Sequence, residues 1–336
     1  MSSPLPIIRV MPPMSIATKK QLLALSLASL GMLVTGCQTL STTALSPSAT
    51  TTATHPFIMS MPTIDRQGRI AYVEEQGVGA AKISRLCSIA PDGRDRQLID
   101  QINGYIYAPA WSADGQQLAY SKQAPNQHPN IYIYDRNRDT HDLVVNAQGS
   151  NLSASFSPDG HHLLYSSTVA GNADIYKKRL SDGDTRQLTT LPSTEVQPSY
   201  APDAQSFVYV SDKVRAGSPR LYRYYFATQT AVLITTAGYA ASPQLSMDGR
   251  HLAYLNGRKA AVMTLATGHV LNLADTGLDE PARLSPSGTY AVYPAYAPDV
   301  DGSQRSHVVI HSLSDHPSYT ISSQDGGVIR SPVWGR

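Results

Sequence analysis

Pro109-Ala110-Trp111-Ser112-Ala113-Asp114-Gly115, followed by a hydrophobic trio that ends in Tyr120, is a phrase that this chain repeats. It returns as Ser-Phe-Ser-Pro-Asp-Gly over 155–160 with Tyr165, and as Pro-Ser-Tyr-Ala-Pro-Asp-Ala over 198–204 with Tyr209. Two further copies follow: Pro-Gln-Leu-Ser-Met-Asp-Gly (243–249) with Tyr254, and Arg-Leu-Ser-Pro-Ser-Gly (283–288) with Tyr293. A fragment, Ser-Pro-Val-Trp over 331–334, ends the series. A period of roughly 40 to 47 residues is that of a propeller blade, and it sets the architecture before any single residue is weighed.

Each copy encodes two strands and a tight turn. The segment up to Trp111 reads as a short strand. Ser112 to Gly115 carries turn chemistry: side-chain oxygens that bond nearby amides, and a glycine that takes positive φ without a Cβ clash. Leu118-Ala119-Tyr120 opens an apolar, aromatic strand. A proline ahead of the aromatic suits a strand start or an unpaired edge, because it cannot donate to a ladder. That places the phrase on the innermost strand of a blade. Third strands are marked by Ile131–Tyr134, Asp174–Tyr176, Leu221–Tyr224, Val262-Met263 and Val308–Ile310. Fourth strands are marked by Asp142–Val144, Arg186–Leu188, Ala231–Leu233 and His269–Leu271. Four short strands per unit make a blade. A two-sheet sandwich would not repeat one phrase at fixed spacing.

Counting gives an all-β, six-bladed propeller over 63–336. Its aligned positions are Ile64, Trp111, Phe156, Tyr200, Leu245 and Leu284, with Trp334 closing the series. Near Ile64 the second strand survives as Gly68–Tyr72, but the phrase ahead of it is weak. Ser331–Trp334 has the opposite defect, a good first strand with no second strand after it. The economical reading is that the C-terminal strand becomes the inner strand of the first blade and closes the ring, removing exposed sheet edges.

About 275 residues of repeat bury a large core without disulfide or metal. The net charge of +2, from 27 basic and 25 acidic residues, argues against nucleic acid, which needs a basic face with stacking aromatics. The many tyrosines are expected to pack between blades, and Lys177-Lys178-Arg179 to be a solvated blade edge.

Ahead of the repeat, Lys19-Lys20, the apolar stretch Leu22–Leu33 and Val34-Thr35-Gly36-Cys37 read as an export signal over 1–36. The apolar stretch falls short of the roughly 20 residues of a membrane span. Val-Thr-Gly-Cys resembles the lipobox of bacterial lipoproteins, which makes the Cys37 thiol the lipid acceptor. Gln38 rather than Asp after it then favours the outer membrane, with the protein facing the periplasm. Residues 37–62 read as a lipidated cysteine followed by a Ser/Thr-rich tether, about 20 residues of which reach about 25 Å. Cys87 is left without an intramolecular partner and is expected to be a small buried residue.

The phrase Pro109–Tyr120 resembles the repeat of TolB-type propellers, also called the PD40 repeat. Arg69–Val73 resembles the opening of that propeller, Leu278-Asp279-Glu280 a segment before its last blade, and Ser331–Trp334 its ending. The likeness covers about residues 63–336. It implies a non-enzymatic periplasmic part of the Tol–Pal system, whose propeller binds the peptidoglycan-bound lipoprotein Pal. TolB proteins also carry an N-terminal α/β domain that engages TolA. Here only a tether separates Cys37 from the propeller, so a TolB-like lipoprotein without that domain is expected, and TolA coupling is not.

Enzyme motifs are missing: no Gly-x-Ser-x-Gly elbow, His-Glu-x-x-His helix, phosphate-binding glycine loop or Cys-x-x-Cys pair occurs. His161-His162 reads as two turn residues. Asp299-Val300-Asp301-Gly302 begins like a calcium loop but lacks the third acidic position and the distal glutamate. No catalytic residue, metal or cofactor is therefore expected. The alternative class is a propeller enzyme, a lyase or hydrolase acting on cell-wall or acidic polysaccharide from a site at the channel mouth. In a propeller, the loops entering the inner strands gather round one mouth of the channel, and the likeness to TolB makes this mouth the partner-binding face. The candidate residues there are Tyr107, Ser150, Asn151, Glu195, Gln197, Asp279 and Glu280. The expected partner is an envelope protein, a Pal-like lipoprotein being the candidate, bound by a monomer.

Overall fold

The computed structural model describes residues 61–298, 302, 304–314 and 318–336. The 1–36 signal, Cys37, the tether up to residue 60 and the Asp299–Asp301 stretch lie outside them. Among the described residues the chain forms six four-stranded antiparallel sheets. Their inner strands, for blades 1 to 6, are Val328–Gly335, Tyr105–Trp111, Asn151–Phe156, Glu195–Tyr200, Ala240–Leu245 and Arg283–Leu284. The expected third- and fourth-strand markers fall in those places in their sheets.

Blade 1 joins the two ends of the propeller. Its other strands, Arg69–Gln76, Ile83–Ile89 and Gln97–Asn103, begin the repeat region, while its inner strand ends the chain. Arg69 pairs with Gly335 and Ile70 with Trp334. The ring is thus closed by the C-terminal strand, as the orphan phrase at Trp334 predicts. Because that strand takes the inner place, Ile64 is not on a strand; it lies in a one-turn helix, Thr63–Arg66.

The repeated tyrosine of each second strand is the main seam filler. Tyr72, Tyr120, Tyr165, Tyr209, Tyr254 and Tyr293 are all buried. Tyr120 and Leu118 of blade 2 share a cluster with Ala71, Val73 and Leu86 of blade 1. On the other flank, Ile70, Tyr72 and Cys87 of blade 1 meet Tyr290, Val292 and Val308 of blade 6. Each buried side chain of this size contributes about 1.5–3 kcal/mol. Cys87 is fully buried, and burial pushes its thiol up to about 12. A polar clamp reinforces the closing seam. The buried Glu74 carboxylate accepts the Asp325 and Gly327 N–H groups at 3.1 Å and the Ser323 hydroxyl, and pairs with Arg96 at 3.1 Å.

The Ser-x-Asp-Gly turns show why the phrase recurs. In blade 2, Ser112 Oγ donates to Asp114 Oδ1 at 2.6 Å and accepts the Gln117 N–H at 2.9 Å, while Asp114 accepts the Gln116 N–H. Blades 3 and 5 repeat this with Ser157–Asp159 and Ser246–Asp248. Blade 6 departs: its turn, Ser285-Pro286-Ser287-Gly288, has serine where the aspartate belongs. The missing carboxylate arrives from the N-terminal helix. Asp65, fully buried, accepts from Ser285 Oγ at 3.1 Å and from the Ser287 N–H at 2.9 Å and Oγ at 2.5 Å. Its carbonyl also accepts the Trp334 indole N–H at 3.3 Å. One helical turn therefore ties blade 6 to the closing strand.

This exchange of partners makes a swap test. Asp65→Ala removes the acceptor of three donors and leaves the Ser287 N–H without one, since the hydroxyls can turn to Thr289 and to each other; it is expected to cost about 1–3 kcal/mol in urea unfolding. Ser287→Asp alone also destabilises, because two buried carboxylates then share one site. The double variant Asp65→Ser with Ser287→Asp restores the repeat's own turn and recovers most of the loss. Simple addition of the two single losses would count against the exchange.

Candidate partner-binding mouth

The inner strands share a distortion that sequence reading did not supply. Ala108, Ser153, Gln197, Ser242 and Ser331 all have left-handed backbones, with φ between 44° and 57°. Each lies where the pairing to the second strand shifts register, so each blade but the sixth carries a β-bulge there. Four of the five precede a proline, which therefore sits inside the inner strand, at the bulge, rather than at its start. The bulge turns side chains and amides towards the next blade. Gln197 Oε1 accepts the Ser242 N–H at 2.8 Å, Gln244 Oε1 the Leu284 N–H at 2.9 Å, and Ser155 Oγ the Tyr200 N–H at 3.1 Å. These bonds form a belt round the channel wall from blade 3 to blade 6.

Each inner strand runs from an upper to a lower face, so the loops into it and those between second and third strands share the upper face. Among the described residues, exposed large apolar side chains stand on these loops and on the outer, fourth strands, where Leu98, Leu143, Val232, Leu233 and Leu271 lie. Val78, Val169, Leu191, Val214 and Tyr239 all lie on upper-face loops, and Val78 and Val214 are 85% and 77% exposed. On the Ser-x-Asp-Gly turns of the lower face, Met247 is the one large apolar side chain that is exposed among the described residues.

The seven candidate residues divide into two kinds. Asn151 and Glu195 are turned into the wall. Asn151 donates to the Ala147 carbonyl at 2.8 Å and accepts from Ser167 Oγ at 2.7 Å. Glu195 accepts from Ser193 Oγ at 2.5 Å and Ser211 Oγ at 2.7 Å. Gln197 belongs to the bulge belt, and the Ser150 N–H donates to Thr168 Oγ1 at 2.8 Å. Tyr107, Asp279 and Glu280 remain at the mouth. Tyr107 donates to Gln123 Oε1 at 2.9 Å and stacks on Tyr105 with ring centroids 5.6 Å apart; burial pushes its hydroxyl up. Asp279 is exposed. The Glu280 side chain is half-buried on the wall, where Oε2 accepts from the Ser331 N–H and Oγ at 3.3 Å; burial raises its carboxyl.

Sequence reasoning missed the charges that accompany Glu280. Arg330 lies 3.9 Å from Glu280 and 3.7 Å from Glu75, and Glu75 pairs with Lys82 at 2.8 Å. Lys82 in turn sits 4.4 Å over the Tyr105 ring. A continuous row of alternating charge thus crosses the mouth from blade 1 to blade 6. Arg283 stands deeper, with Nη1 donating to the Ser242 carbonyl at 2.6 Å. The one available signal was the repeat itself, which has alanine, serine, glutamine or valine at the position that Arg283 fills.

The TolB beta propeller domain profile matches residues 66–336. The chain belongs to that family. It is 28% identical over 257 residues to the Tol-Pal system protein TolB of two Francisella tularensis subspecies, mediasiatica (strain FSC147) and tularensis (strain FSC 198). The aligned region is 72% of this chain and 57% of each relative, so the chain spans little more than half the length of the curated relatives it matches. Among solved structures, TolB from Acinetobacter baumannii is similar with a TM-score of 0.71 and 30% identity, over 80% of this chain and 67% of that one. The putative TolB from Agrobacterium tumefaciens, at 21% identity and a TM-score of 0.55 over 79% of this chain and 98% of that one, shows the shared fold alone.

Within this TolB-type wall, Glu195 sits against Asp174, itself 1% exposed, and burial raises both carboxyls above their ordinary range. Their nearest donors are hydroxyls and an amide (Ser193, Ser211, Thr189 and Gln187). The folded state therefore holds protons that the unfolded chain releases. The stability they contribute is full below the ordinary carboxylate range and is lost as pH rises through the raised values. Glu195→Gln is expected to flatten this slope in urea titrations between about pH 4 and 8 and to add about 1 kcal/mol at pH 8. An unchanged slope would show that the pair does not share a proton.

Proposed function

We propose that this propeller is a non-enzymatic, lipid-anchored adaptor that faces the periplasm from the outer membrane and takes an envelope protein on its upper face. The observation that carries this reading is the contrast between the two ends of the channel: the loops where the inner strands begin expose Val78, Val169, Leu191, Val214 and Tyr239, and the opposite Ser-x-Asp-Gly turns expose Met247. Apolar surface exposed on one face and rimmed by polar groups marks an interaction site. The charge row of Lys82, Glu75, Arg330 and Glu280 supplies the polar part and fixes orientation more than affinity.

The likeness to relatives named as Tol-Pal system proteins supports a Pal-type lipoprotein as the partner. Tyr107, Asp279 and Glu280 are the sequence candidates placed to meet it, whereas Ser150, Asn151, Glu195 and Gln197 shape the wall. The anchor is the Cys37 thiol, carried on the tether of residues 37–62. One bound chain per propeller needs no second copy of the ring.

Photo-crosslinkers at Val214 and Tyr239 in intact cells are expected to capture a Pal-type lipoprotein, with capture at Met247 on the lower face at least ten times weaker. Equal capture from both faces would remove the basis of the reading. Replacing Cys37 with alanine is expected to abolish the lipid mass increment and release the protein from membranes. An unchanged mass and membrane fraction would rule out the anchor.

A further inference from the structure

Arg283, on the inner strand of blade 6, differs from Lys82 and Arg330 of the charge row in having no ion-pair partner among the described residues. Lys82 has Glu75 at 2.8 Å, and Arg330 has Glu75 at 3.7 Å, Glu280 at 3.9 Å and the Leu278 carbonyl at 3.0 Å. Arg283 has no carboxylate within 4 Å among the described residues. Its protein partners are the carbonyl oxygens of Ser242, at 2.6 Å, and of its own neighbour Ala282, at 3.5 Å, and both are reached by Nη1. Among the described residues the Nε–H and Nη2–H groups have no protein acceptor. Those two groups form the side-on edge of the guanidinium, the edge whose spacing matches the two oxygens of a carboxylate.

The surroundings favour an anion at this edge. Protein surrounds Arg283 closely, and burial holds its guanidinium down at about 10, against the attraction of Glu280. Glu280 is the nearest negative group but is already engaged by Ser331 and Arg330. Arg283 is partly buried, so an incoming anion would meet a guanidinium that is only incompletely hydrated, where a charge-assisted hydrogen bond is stronger than in open water. A neutral donor stands alongside. Gln244 gives its Oε1 to the N–H of Leu284, next in sequence to Arg283, which leaves the Gln244 amide N–H groups free to donate. A charged fork and an amide donor on adjacent inner strands, those of blades 6 and 5, suit one oxyanion group.

We infer that Arg283, with Gln244 beside it, receives a carboxylate carried on a polypeptide segment that enters the channel from the upper face. The inference deepens the adaptor reading, on which it rests for the direction of approach. The apolar tips on that face suit a protein carrier, and the side-on edge of Arg283 suits the planar carboxylate of a chain terminus or an acidic side chain. An incoming carboxylate also stabilises Arg283 in its charged form, which burial opposes.

Purified full-length protein labelled with ¹⁵N-arginine tests this directly. The probes are N-acetylglycine, N-acetylglycinamide and inorganic phosphate, each at constant ionic strength set with sodium chloride. N-acetylglycine is expected to shift the Arg283 Nε–H resonance saturably and to raise the unfolding temperature; N-acetylglycinamide should do neither. Arg283→Gln should weaken N-acetylglycine binding roughly 10- to 100-fold, the value of one charge-assisted contact. Arg283→Lys, which keeps the charge but not the side-on edge, should fall at least about tenfold. Should Arg283→Gln fail to fold, Glu280→Gln serves instead: removing the competing negative charge is expected to tighten N-acetylglycine binding about threefold or more. Equal responses to acid and amide, or full binding by Arg283→Gln, overturn the inference. A response to phosphate without one to N-acetylglycine also overturns it, leaving an inorganic oxyanion site. Crosslinking from Val214 and Tyr239 reports separately. Capture there with no N-acetylglycine binding sinks the carboxylate receptor and spares the adaptor, and the reverse pattern does the opposite.

Discussion

A blade has two apolar faces, and both must be covered. That requirement governs the whole molecule, because six identical needs are met only if the last sheet packs against the first. Blade 1 meets the condition by taking three strands from the start of the repeat and one from its end. Tyr72 and Cys87 then have blade 6 on one side, and Val73 and Leu86 have blade 2 on the other. The Glu74 clamp and the Asp65 strap add polar bonds from the N-terminal part of the propeller to the segment that leaves blade 6 and to the blade 6 turn. The ring's two ends meet inside blade 1, where the backbone ladder between Arg69–Gln76 and Val328–Gly335 takes the place of a covalent link.

Much of this was legible in the sequence, because the turn chemistry of a blade is written in a handful of residues. Ser112, Asp114 and Gly115 each have one role that few other residue types can fill, so the phrase survives from copy to copy. The orphan Trp334 was equally readable, since a first strand without a second has one sensible place to go. Ile64 was misplaced for the opposite reason. It was aligned by spacing alone, with no turn or proline to fix it, and it belongs to a helix. The bulges were invisible because alanine, serine and glutamine occupy the left-handed position, where glycine would have announced it. Only the following proline hinted at the irregularity.

The mouth was legible in position but not in composition. Loop order alone places Tyr107, Asp279 and Glu280 there. It does not say that Asn151 and Glu195 turn inward, because that depends on hydroxyl and amide partners such as Ser167 and Ser211, sixteen residues away. Nor does it reveal the charge row, whose members come from both ends of the chain. In a repeat protein the wall is uniform by construction, and the residues that distinguish one propeller from another are its departures. Ser287 and Arg283 are two such departures. The first is made good internally by Asp65; the second has no ion-pair partner among the described residues, only the more distant attraction of Glu280.

The shared blade also sets a schedule. Arg69–Gln76 is among the first strands made, and its inner partner, Val328–Gly335, is the last. The contact between Ile70 and Trp334 spans 264 residues, so closure is the most non-local event in the fold and should be its slowest. Until it occurs, one edge of Arg69–Gln76 and the apolar sides of blades 1 and 6 stay uncovered, a state open to wrong pairings. A chain stopped short of Val328 would carry most of the blades and still lack a ring.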